Sequence, residues 1–328
     1  MSTIPTELAR LCRSVLGATP DSMDGYTTGP KGKARDTHQI HVDGISYFAT
    51  RRESAAVAEK EARVLEALSK RAAPVPRFLA FEDGWLLQES AGEKRLSEAL
   101  NEVDAAEARA LLERACDGLA SIQAIGAEAE LAAVVTPFAT GEETADRLLA
   151  IPDRISELAG VAPPSIDDTT RRRLREHLAS PGSSFIKWDA RPANAAVGAD
   201  GAIRWFDWQH CNRRHRADDL VWFACDESVP AASEPTTLLT TLASSWGAGP
   251  DYVAALGVAH VGTRMLSLLT GPVGLSASWR DCLAHDWCGS RESACRLSRR
   301  GAEVARLTDL TAGFVGWFES LSESFANA

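Results

Sequence analysis

The sequence has no CxxC pair, no internal repeat and no low-complexity tract, and only three methionines and three tyrosines among its 328 residues. Its seven cysteines (Cys12, Cys116, Cys211, Cys225, Cys282, Cys288, Cys295) are odd in number, in a chain too long to need a disulfide framework, and are expected to be reduced thiols. No apolar run approaches the ~20 residues of a membrane span. The N-terminal MSTIPTELARLCRSVLG places charge inside its apolar stretch, which suits an amphipathic helix rather than a signal or an anchor. These absences point to the cytoplasm and to no membrane partner. Basic excess is also lacking: a formal charge of −10 is the wrong sign for a general nucleic-acid binder, which must displace counterions from phosphates. A cationic or neutral partner suits it better.

What is present is ordinary globular material, 45% hydrophobic and 24% charged, enough for two packed lobes. From about Asp24 to Glu89 the pattern predicts strands around one helix. THQIHVDGISYFATRR alternates around Asp43-Gly44, a strong hairpin signal. SAAVAEKEARVLEALSKR sets Val57, Val64, Leu65 and Leu68 on one helical stripe that ends before Pro74 and Pro76. FLAFEDGWLLQES predicts two short strands turning at Asp83-Gly84. Beyond Gly92 the pattern is mainly helical. Asp104 and Glu107 have capping-box spacing ahead of the stripe Leu111, Leu112, Ala115, Leu119 and Ile122. A loop-rich region with Pro152, Pro163 and Pro164 precedes a helix near Thr169 to Leu178. The island SSFIKWDARPANAAVGADGAIRWFDWQ holds the strand-like runs FIKW, AAVG and IRWF. Helices resume after about Glu234, with breaks at Gly247 to Pro250 and Gly271 to Gly274.

In the island Asp189 is followed five positions later by Asn194, and thirteen further on by Asp207 at the end of an apolar strand. Phosphoryl transfer asks little covalent chemistry of a protein. It needs an acceptor hydroxyl held in line and divalent metal at the β- and γ-oxygens. Asp189 would accept the hydroxyl proton, while Asn194 and Asp207 offer the hard oxygens that magnesium prefers.

The segment KWDARPANAAVGADGAIRWFDWQHCNRRHRADDLVWF resembles the core of the aminoglycoside phosphotransferase and choline kinase superfamily. That family's HGDxxxxN loop, strand-end acidic residue with an aromatic, and Asp-Leu-Ala-like tripeptide fall on Asp189, Asn194, Asp207-Trp208 and Asp219-Leu220. The loop histidine and glycine of the family are Lys187 and Trp188 here. The resemblance implies an α+β, two-lobed protein-kinase-like fold. A small β-rich nucleotide-binding lobe would span residues 1–90, and a larger, mainly helical catalytic and substrate-binding lobe residues 91–328. It also implies ATP or another nucleoside triphosphate, Mg2+, a small-molecule acceptor, and Asp219 as a brace for the catalytic loop.

The first lobe carries further matches. Ala49-Thr50-Arg51 has the shape of the kinase Ala-x-Lys with arginine in place of lysine. Arg52 or Thr50 takes the place if the strand register is displaced by one. Glu61, on the buried stripe, needs a cation, and EARVL fits the family's helix pattern. Gln88, Glu89 and Ser90 lie where the linker between lobes would hydrogen-bond adenine. TTGPKGKARD, with Lys31 and Lys33, could cover phosphates. Trp188, Trp205, Trp208 and Trp222 are core residues or an aromatic cage. Asp226, Glu227, Asp251, Asp281 and Asp286 could draw a cationic acceptor to the C-terminal lobe. Two other readings use the same residues: a nucleotide-binding pseudokinase without turnover, and a zinc module built from His210, Cys211, His215, Cys282, His285 and Cys288.

Overall fold

The computed structural model describes residues 6–26, 36–137, 140–180, 182–270 and 291–327. The first lobe is built on five antiparallel strands, β1 (Ser22–Tyr26), β2 (Asp36–Val42), β3 (Ile45–Arg51), β4 (Phe78–Glu82) and β5 (Trp85–Glu89), in the order β1-β2-β3-β5-β4. Both expected hairpins form. Val42 pairs with Ile45 across Asp43-Gly44, and Glu82 with Trp85 across Asp83-Gly84. All four turn residues have positive φ, as a two-residue turn matched to strand twist requires.

Strand alternation divides the side chains of the sheet between two faces. Helix α1 (Thr6–Leu16) buries Leu8, Leu11 and Cys12 against Ile40, Val42, Tyr47, Ala49, Trp85 and Leu87 on one face. Helix α2 (Ala55–Ser69) covers the other, where Val64, Leu65 and Leu68 join Leu86 in the larger core. Period 2 in the strands and 3.6 in the helices is therefore enough to aim both faces.

The chain crosses at Ser90 to Glu93 and enters the second lobe through β6 (Lys94–Arg95), which pairs with β8 (Ala195–Val197), itself paired with β9 (Ile203–Trp205). A separate ribbon joins β7 (Ser184–Ile186) to β10 (Asn212–Arg214). Around these pack α3 (Leu96–Glu102), α4 (Ala105–Glu128), α5 (Leu131–Val134), α6 (Glu142–Ala159), α7 (Asp168–Leu178), α8 (Ala217–Ala224), α9 (Pro235–Ala243), α10 (Pro250–Thr270), α11 (Arg291–Ala305) and α12 (Val315–Ala326). Asp104 caps α4 by accepting the Glu107 N–H at 2.9 Å, and the expected stripe of α4 is buried throughout.

Two expectations are corrected. Pro152 lies inside α6 rather than in a loop, because Ala145, Leu149, Pro152 and Ile155 continue one buried stripe that outweighs the hydrogen bond lost at proline. One helix among the described residues, α10, is long and apolar enough to cross a membrane by length and composition. It is a core helix here, 72% of its apolar window buried, packed among α6, α7, α8 and α11. The expected break at Gly271 to Gly274 lies outside the described residues.

Gly182, just before β7, has φ +55, and a Cβ there would fall 2.1 Å from both Arg214 C and His215 N. Backbone on both sides leaves nothing that can give way. Gly182→Ala is expected to destabilise the protein by about 2–4 kcal/mol through strain and overpacking, read as a lower midpoint in urea unfolding. An unchanged midpoint would contradict this close approach.

Candidate active site

The site lies where β7, β9 and α2 meet. Strand β7 ends at Ile186, and Lys187 to Asn194 follow as a loop closed by a short 3-10 turn, Pro192–Asn194. Asn194 Nδ2 donates to Asp189 Oδ2 at 2.8 Å and to the Asp189 carbonyl at 3.0 Å, so the two loop residues are tied directly. The Phe206 N–H donates to the Asn194 carbonyl at 3.0 Å, which sets the end of β9, and Asp207 after it, beside the loop.

Asp219, near the start of α8, anchors the loop from beneath. Its Oδ2 accepts from the Lys187 N–H and from Gln123 Nε2, both at 2.9 Å, and its Oδ1 from the Trp188 N–H at 2.7 Å. Burial pushes its pKa up to about 6 despite these three donors. Trp188 holds φ +68, the left-handed region that suits the glycine of the family motif. Its ring compensates by packing 4.3 Å from Trp222 and under the Arg214 guanidinium at 4.5 Å. Trp205 and Trp208 are core residues with no exposure, so a cage of all four tryptophans does not form.

Glu61 is 3% exposed, and its cation is Arg52, not Arg51. Arg52 Nε donates to Glu61 Oε2 at 2.7 Å and its terminal nitrogen to Glu61 Oε1 at 2.8 Å, then on to Asp207 Oδ1 at 2.8 Å. Burial would lower the Arg52 pKa, but hydrogen bonds and charge from Glu61 and Asp207 raise it overall, so the guanidinium stays charged. Strand parity explains the correction. Arg51 shares the face of Tyr47 and Ala49, away from α2, where it bonds Asp36 at 2.6 Å and stacks over Trp85. Arg52, just past the strand end, returns to the face of α2. Glu61 Oε1 also accepts the Trp208 N–H at 2.9 Å, and Lys60 Nζ donates to the Gln209 carbonyl at 2.8 Å. Arg52, Lys60 and Glu61 thus clasp residues 207–209 from the first lobe.

Several contacts escaped the sequence reading. Lys187 is fully buried, its Nζ donating to the Asp207 carbonyl at 2.9 Å. Burial pushes its pKa below the usual lysine value, against the opposing pull of Asp189, Asp207 and Asp219. Arg191 bonds Asp226 at 2.6 Å and Glu227 at 2.7 Å, and Arg264 of α10 also holds Glu227. The carboxylates expected to draw a cation are therefore already balanced, as is Asp251 by Arg173 at 2.9 Å. Asp281 and Asp286 lie outside the described residues, as do Lys31 and Lys33.

Gln88 pairs with Phe48 and Phe78 inside the sheet. The N–H groups of Glu89 and Ser90 donate to the Arg77 and Ser46 carbonyls, at 3.0 and 3.2 Å. The zinc arrangement does not assemble among the described residues: His210 is exposed, and His215 Nδ1 accepts the Ala217 N–H. No group of three histidine, cysteine, aspartate or glutamate side chains stands close enough there to hold a metal. Cys282, His285 and Cys288 are outside the described residues.

A β-rich lobe clasped through a helix glutamate and a basic residue onto a helical lobe, with the aspartate loop between them, is the arrangement of the protein-kinase-like class. The model of the phosphotransferase enzyme family matches residues 30–256, and the chain belongs to that family. No curated protein sequence matches. Among solved structures, the chain is similar to choline kinase LicA from Streptococcus pneumoniae, at 13% identity and a TM-score of 0.54 over 92% of this chain and 98% of that one. It is similar to macrolide 2'-phosphotransferase MphH from Brachybacterium faecium, at 18% identity and a TM-score of 0.51 over 85% and 97%. A mutant aminoglycoside phosphotransferase APH(4)-Ia in ternary complex with ADP and hygromycin B matches at 13% identity and 0.53, over 93% and 99%. At these identities the likeness establishes the fold.

Two measurements follow from this geometry. Arg52→Met strands a buried carboxylate and is expected to cost about 3–5 kcal/mol, whereas Arg51→Met, at a half-exposed pair, should cost at most about 1 kcal/mol. Urea unfolding of the two variants checks the assignment, and equal losses would refute it. For Asp219 the folded pKa lies above the ordinary value, so its contribution to stability is full below about pH 4 and is lost as pH rises through about 6. Asp219→Asn lacks this titration. Its stability deficit against the parent should therefore shrink between pH 4 and pH 7, by up to about 3 kcal/mol, and a deficit independent of pH would argue against the shift.

Proposed function

We propose that the chain transfers the γ-phosphoryl group of ATP, or of another nucleoside triphosphate, to a hydroxyl of a small molecule. The observation that carries this reading is the joining of Asp189, Asn194 and Asp207 at one place, with Arg52 and Glu61 reaching it from the other lobe. Residues 1–90 would form the nucleotide lobe and residues 91–328 the catalytic lobe, with the nucleotide in the cleft between them.

Asp189 is the proton acceptor for the hydroxyl. Its Oδ2 is oriented by Asn194 Nδ2, and the backbone just before it, at Lys187 and Trp188, is held by the Asp219 brace, so it meets the acceptor without reorganising. Asn194 directs its amide N–H groups to Asp189, which leaves Oδ1 as the end for a cation. Asp207 supplies a carboxylate. One or two hard oxygen ligands of this kind, completed by phosphates and water, fit magnesium. When bound, Mg2+ would neutralise charge on the phosphate oxygens. Arg52, between Glu61 and Asp207, takes the place of the strand lysine and can reach the phosphates with its fork. The N–H groups of Glu89 and Ser90 are engaged within their lobe, so adenine recognition there falls to carbonyl oxygens or to the residues just beyond.

A small-molecule acceptor is supported by the folds this chain resembles, which include a choline kinase, a macrolide phosphotransferase and a protein bound to hygromycin B. A cationic acceptor is favoured by the overall charge of −10 alone, because Asp226 and Glu227 are paired. The cytoplasm is the compartment we assign.

The test is nucleotide-dependent turnover against a panel of aminoglycosides, amino alcohols and other hydroxylated metabolites, read as ADP release. Asp189→Asn is expected to keep nucleotide affinity and lose turnover by ~10² or more. Asp207→Ala should bind ATP equally with and without Mg2+. Unchanged turnover in the first variant, or full metal enhancement in the second, would remove that residue from its role. Nucleotide binding with no turnover in the parent would return the pseudokinase reading.

A further inference from the structure

The residue just before Asp189 carries an indole at a place where the backbone suits no side chain at all. Trp188 has φ +68, a region that glycine enters freely and that a bulky residue keeps only where its surroundings fix it. Those surroundings come from three other elements. The indole lies 4.5 Å from the Arg214 guanidinium and 4.3 Å from the Trp222 ring, and Trp222 lies 4.0 Å from the ring of His260. Guanidinium, two indoles and an imidazole thus form one continuous row, running from β10 through the loop and α8 to α10.

The Arg214 end of the row is buttressed in turn. Arg214 is 1% exposed and Asp218 has no exposed surface. Arg214 Nε donates to Asp218 Oδ2, and the Tyr252 hydroxyl donates to Asp218 Oδ1, each at 2.5 Å. Tyr252 and His260 both belong to α10, roughly two turns apart, so a single helix supports both ends. A buried arginine–aspartate pair gains little stability over apolar packing of the same volume. What it supplies is direction: a planar guanidinium held in one place, against which a ring can rest.

We propose that Arg214, buttressed by Asp218 and Tyr252, is a positioning residue for Trp188 and, through it, for Asp189. This rests on the reading of Asp189 as the proton acceptor. The link to Asp189 is short. The Asp189, Ala190 and Arg191 N–H groups donate to the Lys187, Trp188 and Asp189 carbonyls at 3.0, 2.8 and 2.9 Å, and the first of these bonds spans Trp188 while the second ends on it. The backbone angle held at Trp188 therefore fixes the turn that carries Asp189. Where the family motif has glycine, that angle is adopted without help. In this chain the row of rings and the buried ion pair do the holding.

The test is a double-mutant cycle, because glycine at position 188 makes the row dispensable. Arg214→Lys keeps the charge and loses the planar fork, Tyr252→Phe removes only the hydroxyl on Asp218, and each is made in the parent and beside Trp188→Gly. Two quantities are read: amide hydrogen exchange at residues 188–191 in the free protein, and kcat and KM for ATP with the best acceptor of the turnover panel. In the parent, Arg214→Lys should raise exchange at these amides about tenfold. It should lower kcat about tenfold with KM for ATP unchanged, the mark of a displaced reacting group rather than of lost binding. Tyr252→Phe should give a smaller change in the same direction. Trp188→Gly alone should keep the parental protection, and beside it neither substitution should change exchange or kcat further. Equal losses in the two backgrounds would overturn the proposal, as would parental exchange and kcat in Arg214→Lys, or a Trp188→Gly loop that is already unprotected. If Arg214→Lys does not fold, the Tyr252→Phe cycle decides by the same comparison. A parent without turnover would refute the transfer reading of the site, while the exchange cycle would still judge the positioning.

Discussion

Glu61 is a carboxylate side chain with only 3% of its surface exposed, and the structure around the site is organised by how that group is met. Arg52 answers it with two parallel hydrogen bonds and extends a third to Asp207. The free Glu61 oxygen capacity goes to the Trp208 N–H. A buried ion network of this kind adds little net stability over an apolar packing, but removing one member is expensive because a charge is left without hydration. The network therefore acts mainly as a constraint. The helix, the strand end and the aspartate must be together or the lobe does not pack, and Lys60 on the Gln209 carbonyl extends the same clasp.

The second lobe repeats this logic with opposite signs alternating through the loop. Asp219 faces two backbone N–H groups and Gln123, Lys187 faces the Asp207 carbonyl, and Arg191 faces Asp226 and Glu227. Asp218 beside Asp219 is equally buried and is held by Arg214 and by the Tyr252 hydroxyl, each at 2.5 Å. Each of these charges has a partner inside the protein, and the Asp207 carboxylate is itself held by Arg52 at 2.8 Å. Beside the loop the neutral contacts are aromatic, Trp188 against Trp222 and Trp222 against His260 at 4.0 Å.

Much of this was legible beforehand where a short-range rule governs. Asp43-Gly44 and Asp83-Gly84 can hardly be anything but hairpin turns, and the Asp104 cap announces α4. Glu61 reads as buried because it interrupts an apolar stripe. Errors arose where a long-range balance decides. Pro152 breaks a helix by local rules, yet stays within α6 because the core holds the stripe on both sides of it. Arg51 and Arg52 are indistinguishable by motif, and the end of β3 determines which one turns inward.

The sequence by itself determined the order of the elements, the two-lobed class and the spacing of Asp189, Asn194, Asp207 and Asp219, because periodicity, turn chemistry and loop length act within a few residues. Only the tertiary structure decided which cation meets Glu61, that Lys187 reaches the Asp207 carbonyl, that Trp188 takes a glycine's backbone, and that Asp226 and Glu227 are already paired. Each of these depends on atoms from segments as far as 155 positions apart, as in the bond from Arg52 to Asp207. Such partners are fixed by how whole lobes bury charge, which no local pattern of residues encodes.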